Sequence, residues 1–529
     1  MSRGAIPNSL MYEAALPLAV NSRSQRRSFF PDNGATFSSG NNTQIHMRLN
    51  ADAFLDAAHS YLSFEVRVGT SGNAPGSVCN FVPDIGVPFI SRIRLSSGGN
   101  IIEDIEDFNK LYAFMLLNQS SGGYANNDGG ASGFNHHKYQ EVPNGADRGM
   151  TQASARYMGN AAGVGVPVST AGGVIAPNAQ GVVLKYCLPL MTGLFNLDKY
   201  LPLLMCQSGI DVDIFLEDAG NCGAVNVPAV ARVGATLANS WNSSTLAYEV
   251  SNVEYVATLI NLDADFNMRL KSIIDQTGAL QLSGTTFRHM QNAIDGLNGS
   301  KSITMPIRVK SIKSIFTLFE PTFSSETRMA QNIQASLSGA DDIAAAVDGG
   351  ASGRFVLTNN SCMDITGWQF RIGATVYPAT PVKVCGTPAD AQVALQTTEA
   401  HSEVSKALGK LGDYQHEISY SNGNFYKPLA ADNADALVDA KPGPRANQPI
   451  PCFAVAYDFE SFQKATNAIE SGINTADRSL PITLELTAAP TAGVIGAAAT
   501  NKTNCNAHTY VMADAIWYIT SGGDITVSV

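Results

Sequence analysis

The chain is 529 residues long, several times a usual domain of about 100–200 residues, so two or three hydrophobic cores are expected. Its composition is 45% hydrophobic and only 15% charged, with 47 glycines and 24 prolines, which excludes a coiled coil or an acidic disordered chain and favours strands joined by long turns. The formal net charge of -11 is spread thinly along the sequence, which argues against wholesale nucleic-acid binding.

The opening stretch MSRGAIPNSLMYEAALPLAV has no charged segment leading into a continuous apolar one, because Pro7 and Pro17 interrupt it. No run approaches the roughly 18 apolar residues that a membrane span needs. A chain made and folded in the cytosol or nucleus is therefore expected. The eight cysteines are scattered without a C-x-x-C pair and read as reduced core thiols. The one local basic cluster, Ser22 to Arg27 (SRSQRR), contains Arg23, Arg26 and Arg27 and is followed by Phe29 and Phe30.

QIHMRLN (Gln44 to Asn50) and SYLSFEVRV (Ser60 to Val68) follow, the second with Leu62, Phe64, Val66 and Val68 alternating with polar neighbours as in a half-buried strand. VPFISRIRL (Val87 to Leu95) predicts another strand, ended by the turn SSGGN at Ser96 to Asn100.

In IIEDIEDFNKLYAFMLL, Ile101, Ile105, Phe108, Tyr112 and Met115 recur at helical spacing, with Asn100 as N-cap. Glu103, Asp104, Glu106 and Asp107 would then lie in the first turns as a solvated face that complements the helix dipole. A metal site is not expected here, because no histidine lies nearby in the sequence. Residues 118 to 181 loosen into Gly, Asn, Ala and Ser, as a displayed loop would.

Strands resume with VVLKYCLPL, the SGIDVDIFLED segment from Ser208, and YEVSNVEYVATLI (Tyr248 to Ile260). A second strand-rich region begins near Asp263. It includes SITMPIRVKSIKSIFTLF, DITGWQFRIG, PCFAVAYDF, LPITLELT, HTYVMADAIWYIT and DITVSV. Between Thr387 and Leu411 a helix is predicted, with Pro388 at its first position and Val393, Ala400, Val404, Ala407 and Leu411 on one face.

The two regions echo each other. Ser208 and Ser471, Tyr248 and Tyr510, and Arg94 and Arg371 are separated by nearly the same interval, as duplicated structure with variable loops would produce. Gly209 and Gly472 are expected to supply turn conformations that launch a strand in each copy. Alternation in Ile210, Val212, Ile214 and Leu216, and again in Ile482, Leu484 and Leu486, fits a strand with one buried face. Two all-β units of Greek-key or jelly-roll type, each with one helix, are inferred.

Against this background the sequence resembles double jelly-roll major capsid proteins, most closely those of Polinton-like viruses and virophages. The resemblance is carried by IRLSSGGNIIEDIEDFNKLY, WQFRIGATVYPATPV, YDFESFQKATNAIESGINTADRSLPITLELTAAP and YVMADAIWYITSGGDITV. It implies an N-terminal arm over 1–43, a first jelly roll over 44–262 and a second over 263–529. It further implies homotrimers that imitate hexagons and tile the icosahedral shell of a DNA virus, contacts with neighbouring capsomers and with minor capsid or penton proteins, and residence in the virion after synthesis in the host cytoplasm or nucleus. Residues 118–181, 219–245 and 421–448 would be outward towers or trimer contacts. Arg23, Arg26, Arg27, Phe29 and Phe30 are the candidate assembly or interior contacts, with genome contact through the arm the weaker reading.

No catalytic pattern competes with this. GVIGAAATNKT lacks the second glycine of a P-loop, since Asn501 stands before Lys502. His136 and His137 are adjacent without further ligands, and the other histidines are isolated. Trp368 and Trp517 lie in predicted strands as core residues. No enzyme activity, cofactor or metal is expected. A secreted two-domain β-sandwich that binds or cleaves carbohydrate is the alternative, and it would call for a leader, a carboxylate pair and exposed aromatic platforms.

Overall fold

The main strands of the first half begin with β1 (Ser22–Phe29), β2 (Gln44–Leu49), β3 (Phe54–Thr70), β4 (Ile90–Ser97) and β5 (Asn100–Glu106). Helix α1 (Phe108–Gln119) follows, then β6 (Val182–Leu188), β7 (Ile210–Leu216) and β8 (Leu246–Leu262). Helix α2 (Ala264–Thr277) leads into β9 (Ala279–Asp295), β10 (Ser300–Met305), β11 (Ile312–Pro321), β12 (Ile365–Ile372) and β13 (Thr375–Lys383). Helix α3 (Thr398–Ala407), β14 (Ala454–Asp458), β15 (Ile482–Ala488), β16 (Asn504–Thr520) and β17 (Ile525–Ser528) complete the order. This is a computed structural model, and it describes residues 22–70, 80–83, 86–119, 182–197, 199–226, 241–242, 246–295, 299–321, 365–384, 398–409, 453–460, 472–476, 481–488 and 504–529.

The pairing makes the duplication explicit. In the first half the sheets run β1-β8-β3-β6 and β2-β7-β4-β5, and in the second they run β9-β16-β11-β14 and β10-β15-β12-β13. Each second-half strand is the first-half strand advanced by one full set, and in each half a helix follows the fifth strand. Both halves are jelly rolls, each built on two antiparallel sheets with a four-strand main path, closed over a common core; short strands extend the first of these sheets, and a small three-stranded sheet is added in the first half. Strand β17 extends the second roll by pairing with β16.

Sheet alternation is as the sequence predicts. Ile210, Val212, Ile214 and Leu216 of β7 are buried, as are Ile482, Leu484, Leu486 and Ala488 of β15. Trp368 and Trp517 are fully buried, and Cys206 and Cys505 are core thiols that burial pushes up to about 12. On α3, Ala400, Val404 and Ala407 form the buried face, while Val393 and Leu411 lie outside the described residues. The buried apolar residues form one continuous cluster across both rolls, so the expectation of separate cores gives way to a fused one. Phe114 of α1 against Phe316 of β11, with ring centroids 5.5 Å apart, is one join.

Three expectations are corrected. The helix predicted from Asn100 begins only at Phe108, because Gly98 and Gly99 both take positive φ (58° and 84°) in a two-residue hairpin turn that commits Asn100–Glu106 to pairing with β4. Asp104 and Glu106 then face arginines across the ladder: Arg92 reaches Asp104 and Glu106, and Arg94 reaches Asp104. Ser22–Phe29, expected within an arm, is a strand paired along its whole length with β8.

The third correction concerns the echoed glycines. Gly209 has φ +70° and turns the chain into β7, whereas Gly472 has no positive φ. A Cβ on Gly472 would collide with the backbone oxygen of Ile312, where Ile312 and Ile473 bridge. β15 starts further on, at Ile482. Helix α2 was not anticipated; it buries only Ile274 and ends on left-handed Gly278.

Candidate assembly strand and the seam between the rolls

Arg23, Arg26 and Arg27 are exposed on β1, which stands at the end of its sheet. Arg26 Nη2 donates to Tyr61 Oη at 3.4 Å, and the Arg27 guanidinium lies 4.9 Å from the centre of the Phe29 ring. Phe29 is buried in the core and so anchors the strand rather than offering a contact, whereas Phe30 is 64% exposed. A charged sheet edge resists indiscriminate strand pairing, and the same edge ends in one exposed aromatic side chain. The basic cluster is thus held by the roll. Residues 1–21 and the stretches 120–181, 227–240 and 410–452, which hold most of the expected towers and also His136 and His137, lie outside the described residues.

The second feature is the seam. Glu103, read from the sequence as solvated, is 1% exposed and bridges the rolls. Gly193 N–H and Leu194 N–H of the first roll donate to it at 2.9 and 3.4 Å, and Thr286 Oγ1 of the second donates at 2.7 Å. Burial raises its carboxyl above the ordinary range, and these hydrogen bonds together with Arg288 only partly offset that. Beside it Gly193 packs so closely on the Thr285 backbone that a Cβ would not fit. Farther along, Ser208 Oγ donates to Asp524 Oδ1 at 2.6 Å.

Asp107, four residues past Glu103, adopts φ +48° and begins α1. Around it gather Lys110 of the first roll and His289, Glu320 and His508 of the second. Lys110 Nζ is 2.7 Å from Glu320 Oε2, 2.9 Å from His508 Nε2 and 3.6 Å from Asp107 Oδ1. Burial works to raise the Asp107 carboxyl, but the polar approach of His508 at 3.5 Å and the charges of Lys110, His508 and His289 prevail and hold it well below the usual range. Burial pushes His289 down to about 4 against the pull of Asp107. Sequence reasoning missed this cluster because its members come from four distant segments: the start of α1 with the turn before it, and strands β9, β11 and β16.

No protein-family model matches the sequence, and no curated protein matches it. Solved structures do. The PBCV-1 capsid protein VP54, fitted into a cryo-EM reconstruction of the virophage Sputnik, aligns over 98% of this chain and 99% of its own, with TM-score 0.54 and 12% identity. The PBCV-1 virus capsid aligns over 98% and 99%, with TM-score 0.52 and 12% identity. The Faustovirus major capsid protein covers 97% of this chain and 93% of its own, with TM-score 0.50 and 9% identity. The double jelly-roll fold of these viral major capsid proteins is the fold of this chain.

Proposed function

We propose that the chain is a major capsid protein that self-associates as pseudo-hexagonal trimers and tiles an icosahedral viral shell. The observation that carries this reading is the strand-for-strand duplication, aligned from end to end with capsid subunits and leaving little of either chain over. Two like rolls in one chain give a trimer six similar edges, which is what a flat hexagonal facet requires of a three-fold object.

The rolls are proposed to divide near Asp263, with the chain acting by association and not by chemistry. Arg23, Arg26, Arg27 and Phe30, all exposed on or beside β1, are proposed as contacts to neighbouring subunits. Minor capsid or penton proteins are the further partners this role calls for. Helix α2 adds exposed Phe266, Met268 and Ile273, apolar side chains that a neighbouring subunit would cover. Among the described residues no helix is long and apolar enough to cross a membrane.

Electron microscopy of the purified chain tests the reading. Triangular or pseudo-hexagonal capsomers, alone or in shells, are expected. A folded monomer that forms neither under any tested salt or protein concentration would overturn it.

A further inference from the structure

The seam holds three metal-ligating atoms at ligand spacing. Asp107 Oδ2 lies 3.5 Å from His289 Nε2 and 3.5 Å from His508 Nδ1, and the two nitrogens are 3.3 Å apart. Good N–H···O hydrogen bonds are about 2.7–3.2 Å long, so the triangle is too wide for tight mutual hydrogen bonding. Donors about 2.0–2.1 Å from a tetrahedral zinc ion stand about 3.3 Å from one another, which is the width observed.

We propose that Asp107, His289 and His508 bind a divalent transition ion of the zinc class, with water in the fourth position, and that the ion pins the first roll to the second. The imidazole side chains are 3% and 2% exposed, while Asp107 is 27% exposed, so solvent reaches the carboxylate side of the triangle. His289 Nδ1 is buried without a hydrogen-bond partner, so the polar reach of this ring is through Nε2, into the triangle. Lys110 Nζ, 2.9 Å from His508 Nε2, can only donate, so without an ion Nε2 accepts and Nδ1 carries the proton. When Nδ1 takes the metal the proton shifts to Nε2, which then donates to Glu320 Oε2 at 3.1 Å. Lys110 opposes a cation, and its own bond to Glu320 offsets that charge. Two nitrogens and one carboxylate favour zinc or a similar transition ion over magnesium or calcium, which prefer all-oxygen shells.

The full-length chain, stripped with chelator and dialysed, is given Zn2+ alone, and bound metal after gel filtration and thermal melting are read. One ion per chain is expected, with a higher melting temperature that chelator reverses. Co2+ alone should give the intense visible absorption of a tetrahedral site. Asp107→Asn and His289→Gln should each weaken binding at least about 10-fold, and Glu320→Gln by about 10–100-fold. Absence of bound ion, a weak octahedral cobalt spectrum, or binding unchanged in both ligand variants would overturn the site. If the variants fail to fold, the stoichiometry and cobalt spectrum of the unaltered chain decide.

Discussion

Tyr510, wholly buried in the second roll, donates from Oη to the backbone carbonyl of Asp107 in the first at 2.9 Å, so the turn that starts α1 is held from the opposite roll. That carbonyl also accepts from Lys110 N–H and Leu111 N–H, so Tyr510→Phe removes one bond without orphaning the acceptor. The loss should be about 1 kcal/mol, near the net value of a single buried hydrogen bond. Urea unfolding followed by tryptophan fluorescence measures it. No shift in midpoint would mean that the bond contributes nothing to holding the seam.

The two echoed glycines should respond differently to the same substitution. Gly209→Ala forces a side chain into the left-handed region at φ +70°, a cost of about 1–2 kcal/mol. Gly472→Ala drives a Cβ into the Ile312 backbone, which cannot move without breaking the Ile312–Ile473 bridge. A loss of about 3 kcal/mol or more is expected there. Equal melting temperatures for the two variants would contradict the distinction.

Repetition was legible from the sequence because it is written in period-two burial, as in β7 and β15. What misled was local coincidence. Ile101, Ile105 and Phe108 fit a helical stripe, yet Gly98 and Gly99 had already closed a hairpin whose partners, Arg92 and Arg94, lie on the preceding strand. β1 shows no apolar alternation because it is an edge strand whose side chains face solvent until Phe29, so its sequence resembles an arm. Asp107, His289 and His508 were illegible as a group because only the docking of one roll on the other brings them together.

Glu103 gives a pH signature. Its carboxyl is raised in the folded chain, mainly by burial, so above the ordinary value of 4.5 the folded state holds a proton that the unfolded state has released. The associated stability is present below that value and is lost as pH rises through the folded one. Glu103→Gln removes the titration, and the difference in stability between the original chain and the variant should therefore shift in favour of the variant as pH rises. Denaturant titrations from pH 4.5 upward check the sign. A difference that stays constant with pH would show that Glu103 does not change its ionisation on unfolding.

If β1 is an assembly edge, changing it should separate folding from association. Arg23, Arg26 and Arg27 are exposed, and surface ion pairs or single charges of this kind contribute about 0–1 kcal/mol to stability, so Arg23→Glu, Arg26→Glu and Arg27→Glu together should leave the melting temperature nearly unchanged. Phe30→Ser likewise removes a side chain that is 64% exposed and adds no cavity. Phe29→Ser is the opposite control, since it opens the core and should destabilise the chain by about 3 kcal/mol or more. Sedimentation velocity and particle counts by electron microscopy should show the charge reversal and Phe30→Ser lowering assembly while the fold persists. Full assembly by both surface variants would assign β1 to the roll's own architecture and move the subunit contacts to other faces.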